Sequence, residues 1–596
     1  MPFEVYEKET EVDERPFDVG RFRRMLRYLI PYRRRVAAIL IAILMSAAVT
    51  LFEPYLLGQV VDRGITPRNP TAITQIALLL LGLHLLGWIG NTLRINWMNH
   101  VGQSVLFDLR QELFNHIQKL SLRFYDQRPV GKIMSRITSD VNAIAELVNN
   151  GLVTIIGQGI SIIGITIVMF WLSWQLSLLA FITMPILAIF FNKVRPHIET
   201  GWKNVQRTTS NISANTNESV NGIYVTQAFQ REVPNFGTFQ RLTQHSNDAW
   251  MRTIRIEEMV WPVVDIVGVG GTALVVVAGA WLALQGEVTL GLVLAFTGYL
   301  WRFWPPISSM SKVYGQALSA MASAERIFEF LDTPAEVADA PHAIDLPPID
   351  GAVQFDHVNF RYDPDQEMVL KKINLAVLPG ETIALVGPTG SGKSSMINLL
   401  MRFYDPIEGA IRVDGYDLRD VTMTSLRHQM AIVLQDSFLF SGTIAENIRY
   451  STVGASDEAV RRVAEAVHLA PFVDSLPEGY DYNVGERGNR LSVGQRQLVA
   501  FARALLADPR VLILDEATSS VDTRTELVIQ QAMERLLEGR TAFIIAHRLS
   551  TIRHADRILV IENGRIIESG THEALLARGG RYLDLYRKQW VGQRAA

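Results

Sequence analysis

Six long apolar segments restrict the fold of this chain more than any other feature of its sequence. They lie near residues 36–57, 72–93, 150–172, 174–194, 260–284 and 289–310. Each is long enough to cross a hydrocarbon core of about 30 Å, which takes roughly 20 helical residues. The sequence therefore predicts six transmembrane helices.

Positive charge is concentrated on one side of the predicted membrane. The connections after the second and fourth segments are long and rich in lysine and arginine, and "RFRRMLRYLIPYRRR" precedes the first segment. By the positive-inside rule, the long connections and both termini are expected in the cytoplasm, with the chain in the inner membrane. Residues 18–33 have two open interpretations: an amphipathic helix on the inner leaflet, or a solvated basic flank.

The second half of the chain has the composition of a soluble domain. The net charge of −3 gives no basic field for nucleic acid, and the absence of cysteine excludes disulfides and thiolate metal sites. A segment rich in proline, aspartate and alanine, "FLDTPAEVADAPHAIDLPPIDG", separates the halves as a linker would. We expect a tail at 1–17, a membrane domain at 18–325, a linker at 326–346 and an α/β domain at 347–596.

The segment "ETIALVGPTGSGKSSMINLLM" predicts a strand at 382–386, a glycine-rich loop and a helix from about residue 392. Its loop matches the phosphate-binding pattern G-x-x-x-x-G-K-[ST], in which backbone N–H groups and a helix N-terminus bind phosphate oxygens. Lys393 is expected to reach the β- and γ-phosphates, and Ser394 to bind Mg²⁺. The pattern therefore predicts an ATP site formed by Gly387, Pro388, Thr389, Gly390, Ser391, Gly392, Lys393, Ser394 and Ser395.

The segment "VLILDEATSSVD", residues 511–522, supplies acidic groups to the same chemistry. Its apolar part predicts a buried parallel strand that ends at Asp515, where ligands bind in open α/β sheets. Asp515 is expected to hold Mg²⁺, and Glu516 to polarise the attacking water as a general base. His547 follows another apolar strand and either contacts the γ-phosphate or has a structural role.

The order of these motifs resembles the nucleotide-binding domain of ATP-binding cassette (ABC) proteins. It runs from the phosphate loop through Gln435 in "IVLQD", then "LSVGQRQ", "LILDE", "SSVD" and His547. Six preceding spans with long cytoplasmic connections resemble a half-transporter of the exporter type, similar to bacterial lipid and multidrug exporters. The expected fold is an α-helical membrane domain followed by an α/β ATPase domain with a phosphate loop.

The resemblance implies roles for further residues. Tyr362 would stack on adenine, Gln435 would sense Mg²⁺ and the membrane hairpins, and Asp522 would communicate across a dimer. Ser492, Gly494 and Gln495 would clamp the γ-phosphate bound to a partner chain. The segments 124–140 and 217–232 would be the hairpins that couple the two domains, with Glu486 as a contact of these hairpins.

One residue departs from the family pattern. The usual Leu-Ser-Gly-Gly-Gln signature has Val493 in place of its first glycine. A β-branched residue restricts the backbone and adds bulk where the chain approaches phosphate, so a weaker clamp is expected. The combination of a retained Glu516 with an altered signature resembles one subunit of a heterodimeric exporter. It therefore favours a heterodimer with a second half-transporter, and a homodimer is the alternative.

The sequence leaves the substrate open among lipids, drug-like amphiphiles and peptides. His84, Asn91, Arg94 and Asp265 lie in or near the spans, where ionisable groups often mark a pathway, and Asp265 is the preferred candidate. Trp261, Phe303, Trp304 and Met310 either line a cavity for amphipathic compounds or form an interfacial belt. The favoured function is ATP-driven export or flipping of such substrates; an ATP-gated channel or regulator on the same scaffold is the alternative.

Overall fold

The computed structural model describes residues 19–515, 523–546 and 549–588. Its contacts divide the chain into two units. The membrane unit contains the residues up to Gln118 and Gly131–Asp332, and the α/β unit contains Lys119–Val130 together with the chain from Thr333 onward. A short piece from the middle of the helical half therefore packs with the C-terminal half.

Long helices form the membrane unit. Apolar residues favour helix here because a helix satisfies its backbone polar groups internally, as a lipid environment requires. Three π-helical turns, Val60–Ile65, Arg136–Asp140 and Leu147–Leu152, continue or connect these helices. In chain order, the helices of the first half are α1 (Val19–Arg27), α2 (Arg33–Gln59), α3 (Pro70–Ile117), α4 (Leu122–Asp126), α5 (Val130–Ser135), α6 (Val141–Glu146), α7 (Val153–Leu172), α8 (Trp174–Phe181), α9 (Thr183–Asn221), α10 (Ile223–Ala228), α11 (Glu232–Glu258), α12 (Val260–Leu284) and α13 (Leu290–Asp332).

Among the described residues, five helical stretches are long and apolar enough to cross a membrane. They are Phe22–Ile65, Pro70–Ile117, Val130–Leu172, Trp174–Asn221 and Glu232–Leu284. The sixth predicted span falls on α13, which contains Arg302 and two prolines and is therefore less apolar. That span stays a prediction.

The core of the membrane unit lies where α7, α8, α12 and α13 meet. Buried side chains from these helices include Ile165, Leu176, Val275, Phe296 and Tyr299. Other faces of the helices remain apolar and exposed, as for Leu78, Leu81 and Trp88 on α3. Exposed leucines of this kind suit contact with lipid rather than with water.

A buried ionic cluster ties the segment before α6 to the end of α13. The Asp140 carboxylate, 5% exposed, accepts hydrogen bonds from Ser323 Oγ at 2.9 Å and from Arg136 at 2.6 Å. Arg326 donates two further bonds to it, at 3.2 and 2.5 Å. Because the carboxylate is buried, each of these donors is needed to offset its loss of hydration.

The α/β unit contains two sheets. The strands are β1 (Val353–Phe360), β2 (Leu370–Val377), β3 (Thr382–Val386), β4 (Glu408–Val413), β5 (Tyr416–Asp417), β6 (Met430–Val433), β7 (Val511–Asp515), β8 (Thr541–Ile545), β9 (Arg557–Glu562) and β10 (Arg565–Gly570). The order is β2-β1-β4-β5 in the smaller, antiparallel sheet and β10-β9-β3-β8-β7-β6 in the larger. In the larger sheet β9, β3, β8, β7 and β6 are parallel, and β10 is antiparallel to β9.

Helices cover the larger sheet and supply its hydrophobic layers. The central strands are almost continuously buried, as parallel strands covered on both faces are. The helices of this half are α14 (Lys393–Leu400), α15 (Met423–His428), α16 (Ile444–Arg449), α17 (Asp457–Ala466), α18 (Ala470–Asp474), α19 (Val493–Leu506), α20 (Thr523–Leu537), α21 (Leu549–His554), α22 (His572–Arg578) and α23 (Arg581–Tyr586).

A buried hydrogen bond joins the last two of these helices. Nδ1 of His572, at the start of α22, lies 2.7 Å from the hydroxyl of Tyr582 on α23. Both residues are buried. Burial lowers the pKa of His572 and raises the pKa of Tyr582.

The expected fold class is confirmed: a helical membrane domain precedes an α/β domain. The strand predicted at 382–386 is β3, and α14 begins at Lys393. α13 continues to Asp332, so the first part of the predicted linker at 326–346 is helical. The tail predicted at 1–17 lies outside the described residues.

Candidate functional site

The candidate site lies at one edge of the larger sheet. Strands β3, β8, β7 and β6 are adjacent and parallel, with Leu385 paired to Ile545, Ile545 to Asp515, and Leu514 to Val433. The segments that follow these strands therefore leave from the same edge. Among the described residues, these segments hold the phosphate loop after β3, Asp515 at the end of β7 and Gln435 after β6. Three predicted site residues, Glu516, Asp522 and His547, lie outside the described residues.

Two glycines allow the loop after β3 to fold closely. A Cβ added at Gly387 would lie 2.1 Å from the Ile561 carbonyl oxygen. Gly392, just before α14, has a φ of 108°, and a Cβ there would lie 2.7 Å from the Leu370 side chain. A larger residue at Gly387 would require movement of β9, and one at Gly392 would be strained by the positive φ.

Polar groups of this loop are left without partners in the protein. The Ser391 hydroxyl is buried and has no hydrogen-bond partner among the described residues. Within the same ranges, the backbone N–H groups of Gly392, Lys393 and Ser394 have no acceptor. Several unpaired donors at the start of a helix fit a ligand with many anionic oxygens, such as a phosphate chain.

Lys393 folds back on the loop. Its Nζ donates to the carbonyl oxygens of Gly387 at 2.9 Å and of Pro388 at 3.0 Å, and the residue is 8% exposed. Burial lowers the pKa of Lys393, and the negative charge of Asp515 partly opposes that effect. Of the remaining loop residues, Thr389, Gly390 and Ser394 are exposed.

Three oxygen-bearing side chains are candidates for a metal ion: Ser394 at the start of α14, half-buried Asp515 at the end of β7, and exposed Gln435 after β6. Hydroxyl, carboxylate and amide oxygens are the donors that Mg²⁺ prefers, and it commonly takes few protein ligands together with substrate phosphates. Among the described residues, no group of three or more His, Cys, Asp and Glu side chains is arranged to hold a metal ion alone.

Tyr362 is tied to the helix of the phosphate loop. Its hydroxyl hydrogen-bonds with Ser395 Oγ at 2.9 Å and accepts a bond from Asn398 Nδ2 at 3.4 Å. Its ring packs edge-to-face against Phe360 and Tyr404, with centroid distances of 4.9 and 5.2 Å. The half-buried ring therefore has a fixed position beside α14.

The signature segment forms the start of α19. Ser492 is its N-cap: Ser492 Oγ accepts from the Gln495 N–H at 3.3 Å, and Gln495 Oε1 accepts from the Ser492 N–H at 2.8 Å. Gly494 is buried, whereas Val493 is 41% exposed. Because Val493 begins a regular helix, a β-branched residue fits its backbone without strain, and the expected conformational restriction does not arise. The bulk of the valine side chain remains.

The first predicted coupling hairpin, 124–140, is divided between the units. Lys119–Val130, which contains α4, belongs to the α/β unit. The Tyr404 hydroxyl donates to Asp126 Oδ2 at 2.6 Å, and Gln127 Nε2 donates to Asp363 Oδ1 at 3.3 Å. Burial and the Asp126 carboxylate raise the pKa of Tyr404. The sequence analysis missed Tyr404, whose signal was a large aromatic residue in "RFYDP" soon after the phosphate-loop helix.

The second predicted hairpin, 217–232, consists of the end of α9, the short helix α10 and the start of α11. Its large apolar side chains are exposed, including Tyr224 at 83% and Phe229 at 73%. Glu486 is exposed as well, in a 3₁₀ turn at Glu486–Gly488.

The ionisable groups predicted near the spans have different environments. His84 Nε2 lies 3.5 Å from Glu53 Oε2, and Arg94 donates to Asn91 Oδ1 at 2.7 Å. Asp265, Trp261 and Trp304 line a cavity of about 190 Å³ between α12 and α13. Phe303 is buried in the core behind Trp304, and Met310 is exposed.

Comparison with known proteins gives the family. Residues 36–303 match the ABC transporter transmembrane region, and residues 370–519 match the ABC transporter domain. The chain is 44% identical over 587 residues to the uncharacterized ABC transporter ATP-binding protein YknV of Bacillus subtilis, covering 98% of this chain and 97% of that protein. It is 35% identical to an ATP-dependent lipid A-core flippase of Syntrophus aciditrophicus, covering 96% of this chain and 94% of that protein.

Two further comparisons agree with this result. A putative multidrug export ATP-binding/permease protein of Bacillus subtilis, YgaD, is 35% identical and covers 96% of this chain and all of its own length. The structure of a bacterial Atm1-family ABC exporter with ATP bound matches with a TM-score of 0.77 and 32% identity, over 94% of this chain and 98% of that chain. The chain therefore belongs to the ABC transporter family, as a half-transporter of the exporter type that couples ATP hydrolysis to transport.

Proposed function

We propose that this protein exports or flips hydrophobic or amphipathic molecules across the cytoplasmic membrane, as one half of a heterodimer. The observation that carries the proposal is the phosphate loop, with its unpaired donors, at a sheet edge shared with Asp515 and Gln435 in a chain that also has membrane-spanning helices. ATP binding at that edge supplies the energy, and the membrane helices supply the route.

The loop residues hold the phosphates of ATP. The N–H groups of Gly392, Lys393 and Ser394 and the Ser391 hydroxyl donate to phosphate oxygens. Lys393 turns from the carbonyl oxygens of Gly387 and Pro388 toward the β- and γ-phosphates, which restore the environment that favours its charged form. Thr389, Gly390 and Ser395 complete the loop, and Tyr362 packs beside the adenine.

Three side chains would hold Mg²⁺: Ser394, Gln435 and Asp515. The ion would supply positive charge beside the phosphates. Glu516 orients and deprotonates the attacking water, His547 donates to the γ-phosphate, and Asp522 transmits the state of one site to the other. These last three roles come from the position of the residues in the family motifs.

Ser492, Gly494 and Gln495 act on ATP that is bound to the partner chain. The N–H groups of Val493 and Gly494, which have no acceptor in the part of the chain that the structure describes, supply the donors for that γ-phosphate. The exposed Val493 side chain adds bulk there, so this chain offers an altered signature while retaining Glu516 for its own site. We propose that the partner has the reverse combination, with a regular signature and no catalytic glutamate.

The coupling hairpins pass the movement of the ATPase domains to the membrane helices. The segment 119–130 moves together with the α/β unit of its own chain, because it is hydrogen-bonded to Tyr404 and Asp363 of that unit. The exposed apolar side chains of α10 suit docking on a second ATPase domain, with Glu486 as a polar contact. ATP favours the closed dimer and thereby selects one of two membrane conformations.

The class of substrate is proposed from the relatives and from the exposed apolar surface of the spans. One relative is a lipid A-core flippase and another a putative multidrug exporter, so amphipathic molecules are the shared class. An amphipathic substrate would reach the protein from the hydrocarbon region of the membrane rather than from water.

The first experiment measures the oligomeric state and ATPase rate of the chain purified alone in lipid nanodiscs, with Glu516→Gln as the blank. The expected result is low turnover that rises on co-expression with a second half-transporter of the same cell. A stable and active homodimer would refute the heterodimer and leave ATP-driven export standing.

The second experiment measures transport in proteoliposomes with a fluorescent lipid and an amphipathic dye. Movement is expected only with hydrolysable ATP and in proportion to turnover. Ion flux that continues between hydrolysis events would instead identify a channel.

A further inference from the structure

We propose that the cavity between α12 and α13 binds a monovalent organic cation with a compact apolar or aromatic body. The carboxylate of Asp265 and the rings of Trp261, Trp301 and Trp304 form its recognition surface. Binding itself does not depend on ATP; that the bound cation is exported rests on the proposed function.

The two acidic residues in the six apolar segments, Glu53 and Asp265, have opposite environments. The Glu53 carboxylate lies 2.5 Å from a guanidinium nitrogen of Arg302 and 3.5 Å from His84 Nε2. Arg302 also donates to backbone carbonyl oxygens of Val49 and Thr50. Glu53 is therefore neutralised within the chain.

Asp265 has no such partner. Over residues 19–515, 523–546 and 549–588, no hydrogen bond or ion pair is formed by its carboxylate. Arg302 is adjacent in sequence to Trp301, which lines the cavity, but the Arg302 guanidinium forms its ion pair with Glu53. A carboxylate in a membrane-spanning helix is costly unless it is paired, so this one is suited to a cation that the chain itself does not provide.

The rest of the cavity selects an organic cation over a metal ion. Asp265 is the single charged residue among the described residues that line it, whereas Ca²⁺ and Mg²⁺ require several oxygen ligands. Indole rings attract cations to their faces and are the usual partners of quaternary and protonated amines. One carboxylate among three indoles therefore favours an ammonium group with apolar substituents.

The shape of the site follows from the helices that form it. Trp261, Asp265, Gly268 and Thr272 recur at helical spacing on one face of α12. Gly268 leaves the floor of the cavity without a side chain; a Cβ there would make ordinary van der Waals contact with the Trp304 indole nitrogen, at 3.8 Å, and a longer side chain would extend into the space. Phe303 packs edge-to-face on Trp304, with centroids 5.7 Å apart, and supports that ring from the core. The resulting volume of about 190 Å³ fits a small aromatic ammonium ion.

The test uses the full chain in nanodiscs without nucleotide. Binding of phenyltrimethylammonium is measured by calorimetry and by quenching of tryptophan fluorescence, with empty nanodiscs subtracted. Its uncharged isostere tert-butylbenzene is measured in the same way. The cation is expected to bind in a saturable manner and the isostere to show only lipid partitioning. If both compounds bind in a saturable manner, or if both only partition into lipid, the proposal is refuted by measurements on the unchanged protein alone.

Variants then assign the site. Asp265→Asn is expected to weaken binding of the cation about tenfold or more, and Asp265→Glu to retain it. The matched control is Asp248→Asn, an exposed carboxylate on α11. Unchanged affinity in Asp265→Asn would refute the site.

Two changes test the rings and the volume independently of the charge. Trp301→Leu is expected to weaken binding roughly fivefold, with Trp88→Leu on the exposed face of α3 as the control. Gly268→Leu fills the cavity and is expected to abolish saturable binding. Retained binding in Gly268→Leu would place the cation elsewhere and refute the cavity.

Transport separates this proposal from the proposed function. If the cation binds as expected and ATP drives no transport of the cation, the lipid or the dye, export fails and the cavity stands. If lipid or dye is exported while Asp265→Asn binds the cation as the unchanged protein does, the cavity fails and export stands.

Discussion

Replacement of Tyr404 by phenylalanine tests whether one hydrogen bond holds the segment 119–130 on the α/β unit. The hydroxyl of this buried tyrosine donates to Asp126 Oδ2 at 2.6 Å. Phenylalanine keeps the ring that packs against Phe360 and Tyr362 and removes only the donor. A hydrogen bond to a charged group contributes about 1.5–3 kcal/mol, and the exposure of Asp126 favours the lower end of that range.

A loss of about 1.5 kcal/mol makes local opening of the segment roughly tenfold more frequent. Hydrogen–deuterium exchange of peptides within 119–130, measured in nanodiscs, is expected to accelerate by this factor in Tyr404→Phe. The other contacts do not replace the bond, since Arg123–Glu336 and Gln127–Asp363 are both 3.3 Å long. The control is Tyr416→Phe, because Tyr416 is exposed and its hydroxyl forms no hydrogen bond within the described ranges.

A double-mutant cycle isolates the pair. Asp126→Asn is expected to accelerate exchange by a similar factor, and combining it with Tyr404→Phe should add little, because both changes remove the same interaction. Additive effects, or exchange in Tyr404→Phe as slow as in the unchanged protein, would refute the reasoning.

Three further predictions concern other parts of the chain. Asp140→Asn removes the buried carboxylate that Arg136 and Arg326 contact and is expected to cost about 3 kcal/mol, seen as a lower melting temperature than in the control Asp248→Asn. The α/β unit is expected to lose stability as the pH falls below about 6.5, the unperturbed value for His572, because the unfolded chain binds a proton there that the buried imidazole rejects. Melting curves from pH 8 to 5 should show a smaller slope in His572→Asn than in the exposed control His428→Asn; equal slopes would contradict the assignment. Val493→Gly removes side-chain bulk at the start of α19 and is expected to raise the ATPase rate of the purified chain severalfold, and an unchanged rate would show that the valine is harmless.

Local sequence patterns were sufficient to predict those parts of the structure that are determined by residues close together in the chain. The strand, loop and helix of the phosphate site lie within a short segment, and Gly387 and Gly392 of the motif each stand where a Cβ would meet a neighbouring strand. Runs of apolar residues likewise gave the spans, because the requirement to cross a bilayer acts on each helix separately. The sixth span, predicted with the others, falls on α13, which is less apolar because it contains Arg302, the partner of a distant glutamate.

The sequence could not give the contacts that join distant parts of the chain. Asp126 and Tyr404 are 278 residues apart, and each is unremarkable in its own segment. The same holds for Glu53 and Arg302, whose pairing leaves Asp265 as the acid without a partner. The expected backbone restriction at Val493 does not apply for a different reason: the residue begins a helix whose cap is Ser492, and helical backbone accepts valine.

The assignment of Lys119–Val130 to the α/β unit has a consequence for protein engineering. A chimera that exchanges ATPase domains by joining two transporters at the linker alone would pair the new domain with a foreign hairpin, which need not supply an acid opposite Tyr404. Exchange of both segments would keep this contact intact. The natural module for transplantation is therefore discontinuous in the gene, and a single crossover cannot transfer it.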